Sequence, residues 1–267
     1  MLGDITLGQF YPANSVVHKL DPRIKIILAI VLIAGLFVAH SFYSYLVCFV
    51  FLAVTVILSK VPVSFIFKGL KPILFIMLFT AVINIFFTEG RILFKLGFVR
   101  VTYEGIAVAA VMVFRLFLLV TTTSLLTLTT SPIMLTDGLE RLLNPLRVIK
   151  VPAHEIAMMM TIALRFIPTL MEETDKIIKA QSARGADFTT GSLLSRAKAM
   201  IPILIPLFIS SFRRADELAT AMECRCYKGG DGRTKLKVLK LAPRDFIALF
   251  FVIILMAAII ILNIFAG

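Results

Sequence analysis

Apolar residues run through this chain in stretches too long for strands and too continuous for the single apolar stripe of a surface helix. Ile26 to Ser59 carries no formal charge. As one helix that run would be about 51 Å long, far more than the ~30 Å of hydrocarbon that one crossing covers. His40-Ser41 is the expected break, leaving two short antiparallel helices. A third run goes from Pro72 to Thr88, and a fourth from Gly105 to Thr130, interrupted by Arg115. The fifth, Phe246 to Ala266, is the cleanest. The pattern predicts an all-α integral membrane protein with about five transmembrane helices.

Residues 131–244 follow a different pattern. They hold 18 of the 28 Lys and Arg residues and 11 of the 16 acidic ones. Their apolar runs, Ile156–Leu164 and Ala199–Phe212, are shorter than a crossing. Two long helices are expected, near 153–184 and 190–226, each apolar in its first half and charged in its second. Pro168, Pro202 and Pro206 predict bends in them. A shorter helix, about 132–147, precedes them. Glu172 with Lys176, Asp175 with Lys179 and Arg213 with Glu217 have the i,i+4 spacing of helical ion pairs. A seven-span alternative puts the two apolar halves in lipid. Arg165 argues against it, since a mid-bilayer arginine costs about 3 kcal/mol. The expected division is an N-terminal membrane domain of four spans (1–130), a cytoplasmic helix module (131–244) and a C-terminal span (245–267).

Basic residues near span ends set orientation. Lys19, Arg23 and Lys25 precede span one. Lys60, Lys68 and Lys71 separate spans two and three. Lys235, Lys237, Lys240 and Arg244 precede span five. Five spans put all three groups on the cytoplasmic side of the cell membrane, with the N-terminus inside and the C-terminus outside. Arg91, Lys95 and Arg100 then lie outside, in a loop whose β-branched and aromatic residues around Gly97 predict a small hairpin. The first 22 residues carry Asp4, Asp21, Pro12 and Pro22 and no apolar core. Span one is therefore expected to act as its own targeting signal.

Composition sharpens the reading. The chain is 59% hydrophobic with mean hydropathy +0.96, beyond the roughly 45–50% apolar content of soluble domains. Its +12 formal charge flanks apolar runs, and no nucleic-acid-binding pattern accompanies it, so no nucleic-acid partner is expected. Cys48, Cys224 and Cys226 make no disulfide framework. A lone C-x-C is poor evidence for zinc, and His18, His40 and His154 are scattered. No metal and no cofactor are expected. His18 and Asp21 fix the chain entering span one, with Asp21 as helix cap and Pro22 at the first helical position. Arg115 lies about 15 Å into its span. Such a charge usually faces protein, and Asn84 is the candidate partner in a structural role.

The two long helices end alike. The first closes on Ala183-Arg184-Gly185, with Gly185 suited to the left-handed position after a helix. The second closes on Cys224-Arg225-Cys226. Each sets an arginine between small neighbours, so that a partner's groove could enclose the guanidinium and hold it with a carboxylate fork. For either arginine alone, a favourable cation at a helix C-terminus is the simpler account. The pairing of the two ends shifts the reading toward recognition.

These residues resemble a known family. The entry motif His18-Lys19-Leu20-Asp21-Pro22-Arg23-Ile24-Lys25, the stretch Leu164-Arg165-Phe166-Ile167-Pro168 and the two arginine motifs are similar to the transmembrane coupling subunits of energy-coupling factor (ECF) transporters, within the wider CbiQ-type family. The likeness covers nearly the whole chain, and Cys224-Arg225-Cys226 departs from the commoner Ala-Arg-Gly or Ala-Arg-Ser. It implies a non-catalytic subunit whose two coupling helices cross each other and dock Ala183-Arg184-Gly185 and Cys224-Arg225-Cys226 on two ATP-binding cassette (ABC) ATPase subunits. The unequal motifs fit a heterodimer. ATP-driven motion would pass to a separate substrate-binding membrane subunit, the S component, for uptake of vitamins, their precursors, or cobalt and nickel ions. The chain's length fits a module shared by several binding subunits. Met158-Met159-Met160 with Ala157, Ala163, Ala180 and Ala183 suit a sliding interface; core filling explains the methionines equally well.

Two other functions compete. A membrane-embedded enzyme needs acids, histidines or an activated nucleophile at membrane depth, and the spans carry no H-E-x-x-H, no paired acids and no Walker A loop. A self-contained channel or transporter is disfavoured by the lack of an internal repeat and by the few intramembrane polar residues.

Overall fold

A computed structural model describes residues 10–96, 99–186, 188, 192–230, 239 and 241–266. Its elements in chain order are α1 (Pro22–Val38), α2 (Phe42–Ser59), α3 (Val63–Phe87), β1 (Ile92–Leu96), β2 (Val99–Thr102), α4 (Tyr103–Thr129), α5 (Pro132–Leu143), a 3-10 turn (Asn144–Ile149), α6 (Ala153–Ala183), α7 (Leu193–Cys224) and α8 (Pro243–Ala266). The described residues divide into two compact units, 10–138 with 239–266, and 139–230.

In the first unit α1 and α2 pack against α4 and α8. Leu36, Cys48, Leu52, Leu118, Leu255 and Ile259 form the shared core. The expected break between the first two helices is present at Ala39–Ser41, where the helix ends leave backbone groups that lipid cannot satisfy. Two side chains meet that need. Tyr45 Oη donates to the Ala39 carbonyl at 2.6 Å. Asn263 of α8 accepts from the amides of His40 at 3.2 Å and Ser41 at 3.3 Å, and its Nδ2 donates to the Val38 carbonyl at 2.7 Å.

Among the described residues, four helices are long and apolar enough to cross a membrane: α2, α3, α4 and α8. The first expected span, α1, has 17 residues and reaches about 26 Å. The amphipathic α6 and α7 are not among the four. The third run starts earlier than Pro72, since α3 continues N-terminally to Val63 through that proline. Gly69 lets α3 approach α4 closely: a Cβ there would lie 2.9 Å from Ser124 Oγ.

The hairpin expected after α3 is present. β1 and β2 pair antiparallel, with Lys95 opposite Arg100; Gly97 lies outside the described residues. Thr102 caps α4, accepting from the Gly105 amide at 3.1 Å and donating to the Thr88 carbonyl at 2.8 Å.

Arg115 is structural, but its partner is not Asn84. Its Nε donates to Tyr45 Oη at 2.8 Å, one Nη2 hydrogen reaches the Ala39 carbonyl at 3.2 Å, and the guanidinium lies over the Tyr45 ring at 5.5 Å. Asn84 turns its amide back on the Thr80 carbonyl of its own helix at 2.8 Å. At the break between α1 and α2 the Ala39 carbonyl thus accepts from Arg115 as well as from Tyr45.

The entry motif is a polar knot. Asp21 caps α1, accepting from the Arg23 amide at 2.9 Å and pairing with its guanidinium at 3.0 Å. The Asp21 amide donates to Asp245 Oδ1 of α8 at 2.8 Å, and Asp245 Oδ2 accepts from the Ala242 amide at 2.8 Å. Asp245 is only 2% exposed. Lys25 is buried as well, with Nζ on the carbonyls of Thr129 (2.8 Å) and His18 (3.2 Å) and on Thr130 Oγ1 (3.3 Å). His18 Nε2 donates to the Tyr11 carbonyl at 2.9 Å, and Nδ1 accepts from Ser15 Oγ at 2.7 Å. Burial pushes the His18 pKa below its ordinary 6.5, with nearby Lys25 acting the same way against the raising effect of the Tyr11 carbonyl.

Candidate functional site: two arginine-bearing helix ends

The unit of residues 139–230 is built on α6 and α7, which pack together. Both helices continue through their prolines, Pro168 in α6 and Pro202 and Pro206 in α7. Arg214 Nη2 pairs with Glu173 Oε2 across them at 2.9 Å. The three expected i,i+4 pairs form no ion pair among the described residues. All their members but the half-buried Asp175 are exposed, where water competes and side-chain entropy opposes closure. Arg214 and Glu173, each one position from an expected member, point across the helix pair instead.

The two helix ends are built alike, bond for bond. In α6, Arg184 is the C-cap and Gly185 follows with φ +88°. The Ala186 amide donates to the Gln181 carbonyl and the Gly185 amide to the Ser182 carbonyl, both at 3.0 Å. That bond pair is the Schellman closure of a helix. In α7, the Tyr227 amide donates to the Met222 carbonyl at 3.0 Å and the Cys226 amide to the Glu223 carbonyl at 2.8 Å. Arg225 thus occupies the position of Arg184, and Cys226, with φ 56°, that of Gly185. A left-handed residue with a Cβ costs about 1–2 kcal/mol, so α7 ends under backbone strain that α6 avoids.

Ala183, Arg184, Gly185, Cys224, Arg225 and Cys226 are all exposed. Neither arginine pairs with an acid among the described residues. The backbone alone closes the helix ends, leaving both guanidinium groups available. Behind the second end, Gly230 packs on the ring of His154 at the start of α6. A Cβ on Gly230 would lie 2.5 Å from His154 Cδ2. His154 Nδ1 meets Glu140 Oε1 at 3.1 Å, which anchors that ring in turn. Glycine alone allows the segment after Arg225 to lie this close.

α7 also exposes Ile201, Ile205, Phe208 and Phe212, spaced so that they share one helix face. On α6, Met159 and Met160 are exposed, which disfavours core filling for these two methionines. Cys224 and Cys226 are free thiols. Among the described residues no cluster of three or more His, Cys, Asp or Glu could hold a metal.

Sequence reasoning missed the residues that hold the scaffold: Tyr45, Thr129, Asp245, Asn263 and the Gly230–His154 contact. Asn263 had a visible signal, a lone amide inside the most apolar run.

Comparison with known proteins agrees with this architecture. The family profile described as CbiQ, cobalt transport protein, matches residues 13–236. The chain is 57% identical over 263 residues to an energy-coupling factor transporter transmembrane protein EcfT of Ruminiclostridium cellulolyticum, covering 98% of each chain. It is 57% identical over 269 residues to the protein of that name in Clostridium kluyveri, covering 100% of each. The Bacillus subtilis protein of that name is 49% identical over 259 residues, covering 96% of this chain and 97% of its own. With a profile match across most of its length and relatives this similar end to end, the chain belongs to the CbiQ family, among the energy-coupling factor transporter transmembrane proteins.

Proposed function

We propose that this chain is the non-catalytic coupling subunit of an ATP-driven importer, a multi-pass protein of the cell membrane with its N-terminus in the cytoplasm and its C-terminus outside. Arg184 and Arg225 seat in grooves of two ABC ATPase subunits, which hydrolyse the ATP. Residues 131–244 form the coupling module, between the four-span domain of 1–130 and the last span of 245–267. The observation that carries this reading is the pair of identically closed helix ends, each presenting an exposed arginine with no acid of its own chain beside it.

The physical logic is direct. A fully formed backbone closure keeps the guanidinium from being drawn back onto its own helix carbonyls. Small flanking residues leave room for a groove to close around it, and a carboxylate in that groove can take two parallel hydrogen bonds. The ion pair between α6 and α7 makes the two rods a mechanical unit. The exposed apolar face of α7 and the methionines of α6 give a substrate-binding membrane subunit an adaptable surface to slide on. Cargo recognition then lies with that subunit, and vitamins or related micronutrients are the class the resemblance implies.

The test is uptake in cells carrying Arg184→Glu with Arg225→Glu. Transport should fall to background while the variant still inserts in the membrane at wild-type amounts. Undiminished uptake would overturn the proposal. Catalytic activity of the purified chain without any ATPase would favour the membrane-enzyme reading instead.

A further inference from the structure

In the unit of residues 10–138 and 239–266, a cleft of about 700 Å³ opens between α1, α2, α4 and α8. It does not overlap the helix ends described above. Its walls are almost wholly apolar, and one end is not: Lys25 and Arg244 line it there, beside Thr129. Along α8 the lining runs from Arg244 to Ala258, about 21 Å of helix. The cleft is therefore long, greasy and cationic at one end.

The charges at that end are not equivalent. The Lys25 ammonium is already held by two carbonyls and a threonine hydroxyl. Arg23 is held by Asp21 and by the Leu239 carbonyl at 3.0 Å. Asp245 is taken up by two backbone amides. Arg244 is exposed and has no hydrogen-bond or ion-pair partner among the described residues. A free guanidinium at the mouth of an apolar slot is complementary to one kind of molecule, a chain-bearing anion. Four surrounding helices distinguish this slot from the exposed apolar face of α3, which carries Phe75 and Leu78 and packs in this unit on α4.

We propose that this cleft holds a single anionic phospholipid, its headgroup phosphate on Arg244 and one acyl chain laid along α8 between Leu28, Val50 and Leu255. Arginine matches a phosphate with two parallel hydrogen bonds, and the acyl chain covers apolar wall that no other described part of the chain covers. The site adjoins the knot around Asp21 and Asp245, so an occupied cleft stiffens the entry of α1 against the start of α8. An apolar helix of a partner subunit is the competing occupant, and it has no use for the free cation.

The experiment uses the full chain purified in detergent, delipidated, then incubated with phosphatidylglycerol or phosphatidylcholine and examined by native mass spectrometry. One phosphatidylglycerol should be retained about tenfold more strongly than phosphatidylcholine, the effect of one charge-assisted contact. Arg244→Gln should erase that preference. Ala248→Phe with Ala258→Phe, which fills the slot without touching the cation, should abolish retention of both lipids, with an unchanged melting temperature before lipid is added. Equal retention of the two lipids by the wild type would overturn the proposal, as would undiminished phosphatidylglycerol on the filled variant. So would Val50→Cys cross-linking, in membranes, to a partner subunit rather than to a reactive phospholipid probe.

Discussion

At the start of α1, the charged side chains Asp21, Arg23 and Lys25, with Asp245 from α8, all have partners within the chain. At the ends of α6 and α7, Arg184 and Arg225 have none among the described residues, although a helix C-terminus offers carbonyls within easy reach. The difference separates two uses of charge. A buried charge with all its hydrogen bonds made ties distant segments together, because leaving it unpaired is costly. An exposed charge at a backbone-closed helix end contributes little to its own fold and stays available to another chain.

Lys25→Met should produce the largest loss of stability. It strips the donor from two carbonyls and a hydroxyl and leaves Asp245 without its nearby cation, a cost of about 3 kcal/mol or more. Unfolding in detergent would measure it, and a loss no larger than a surface substitution gives would break the comparison. Gly230→Ala should come next. Its Cβ would meet His154 Cδ2 at 2.5 Å, so the segment after Arg225 must shift, and ATPase association should weaken more than stability does.

The two closures make a finer comparison. Gly185→Ala forces a side chain into φ +88° and should destabilise by about 1 kcal/mol. Cys226→Gly should stabilise by a similar amount, because it removes the strain that Gly185 never carries. Equal and opposite melting shifts would confirm that the ends are one motif with different occupants. The smallest effect concerns pH. His18 is held neutral in the fold, with a pKa lowered from 6.5. Its contribution is therefore present above that value and lost as pH falls below it, since the unfolded chain then takes up protons that the folded chain refuses. Melting temperature should fall modestly on that acid side, and His18→Gln should flatten the slope.

What could be read from the sequence followed short-range chemistry. The break near His40, the hairpin, the Asp21 cap and the long helices all rest on patterns within a dozen residues or so. The misreadings have a common cause. Arg115 finds Tyr45 and the Ala39 carbonyl, 70 and 76 positions away, whereas Asn84, the expected partner, bonds within its own helix. Asp245 reaches Asp21 across 224 positions, and nothing local marks that bond. The start of α3 is a different case: the third apolar run begins at Pro72, but the helix starts at Val63 and carries Lys68 and Lys71 ahead of that proline. Cys226 is the instructive middle case. Setting Cys224-Arg225-Cys226 over Ala183-Arg184-Gly185 already puts a cysteine where a left-handed glycine stands. Only the backbone showed that the equivalence is literal.

The central claim is that Arg184 and Arg225 are the contacts through which ATPase subunits engage this chain. It is tested most directly by coexpressing the tagged chain with two ABC ATPase subunits encoded in the same organism and weighing what copurifies in detergent. The wild type should bring down both ATPases, and the variant carrying Arg184→Glu and Arg225→Glu should bring down neither while melting within about 1 kcal/mol of the wild type. ATPases that still copurify in full with the double variant would contradict the account.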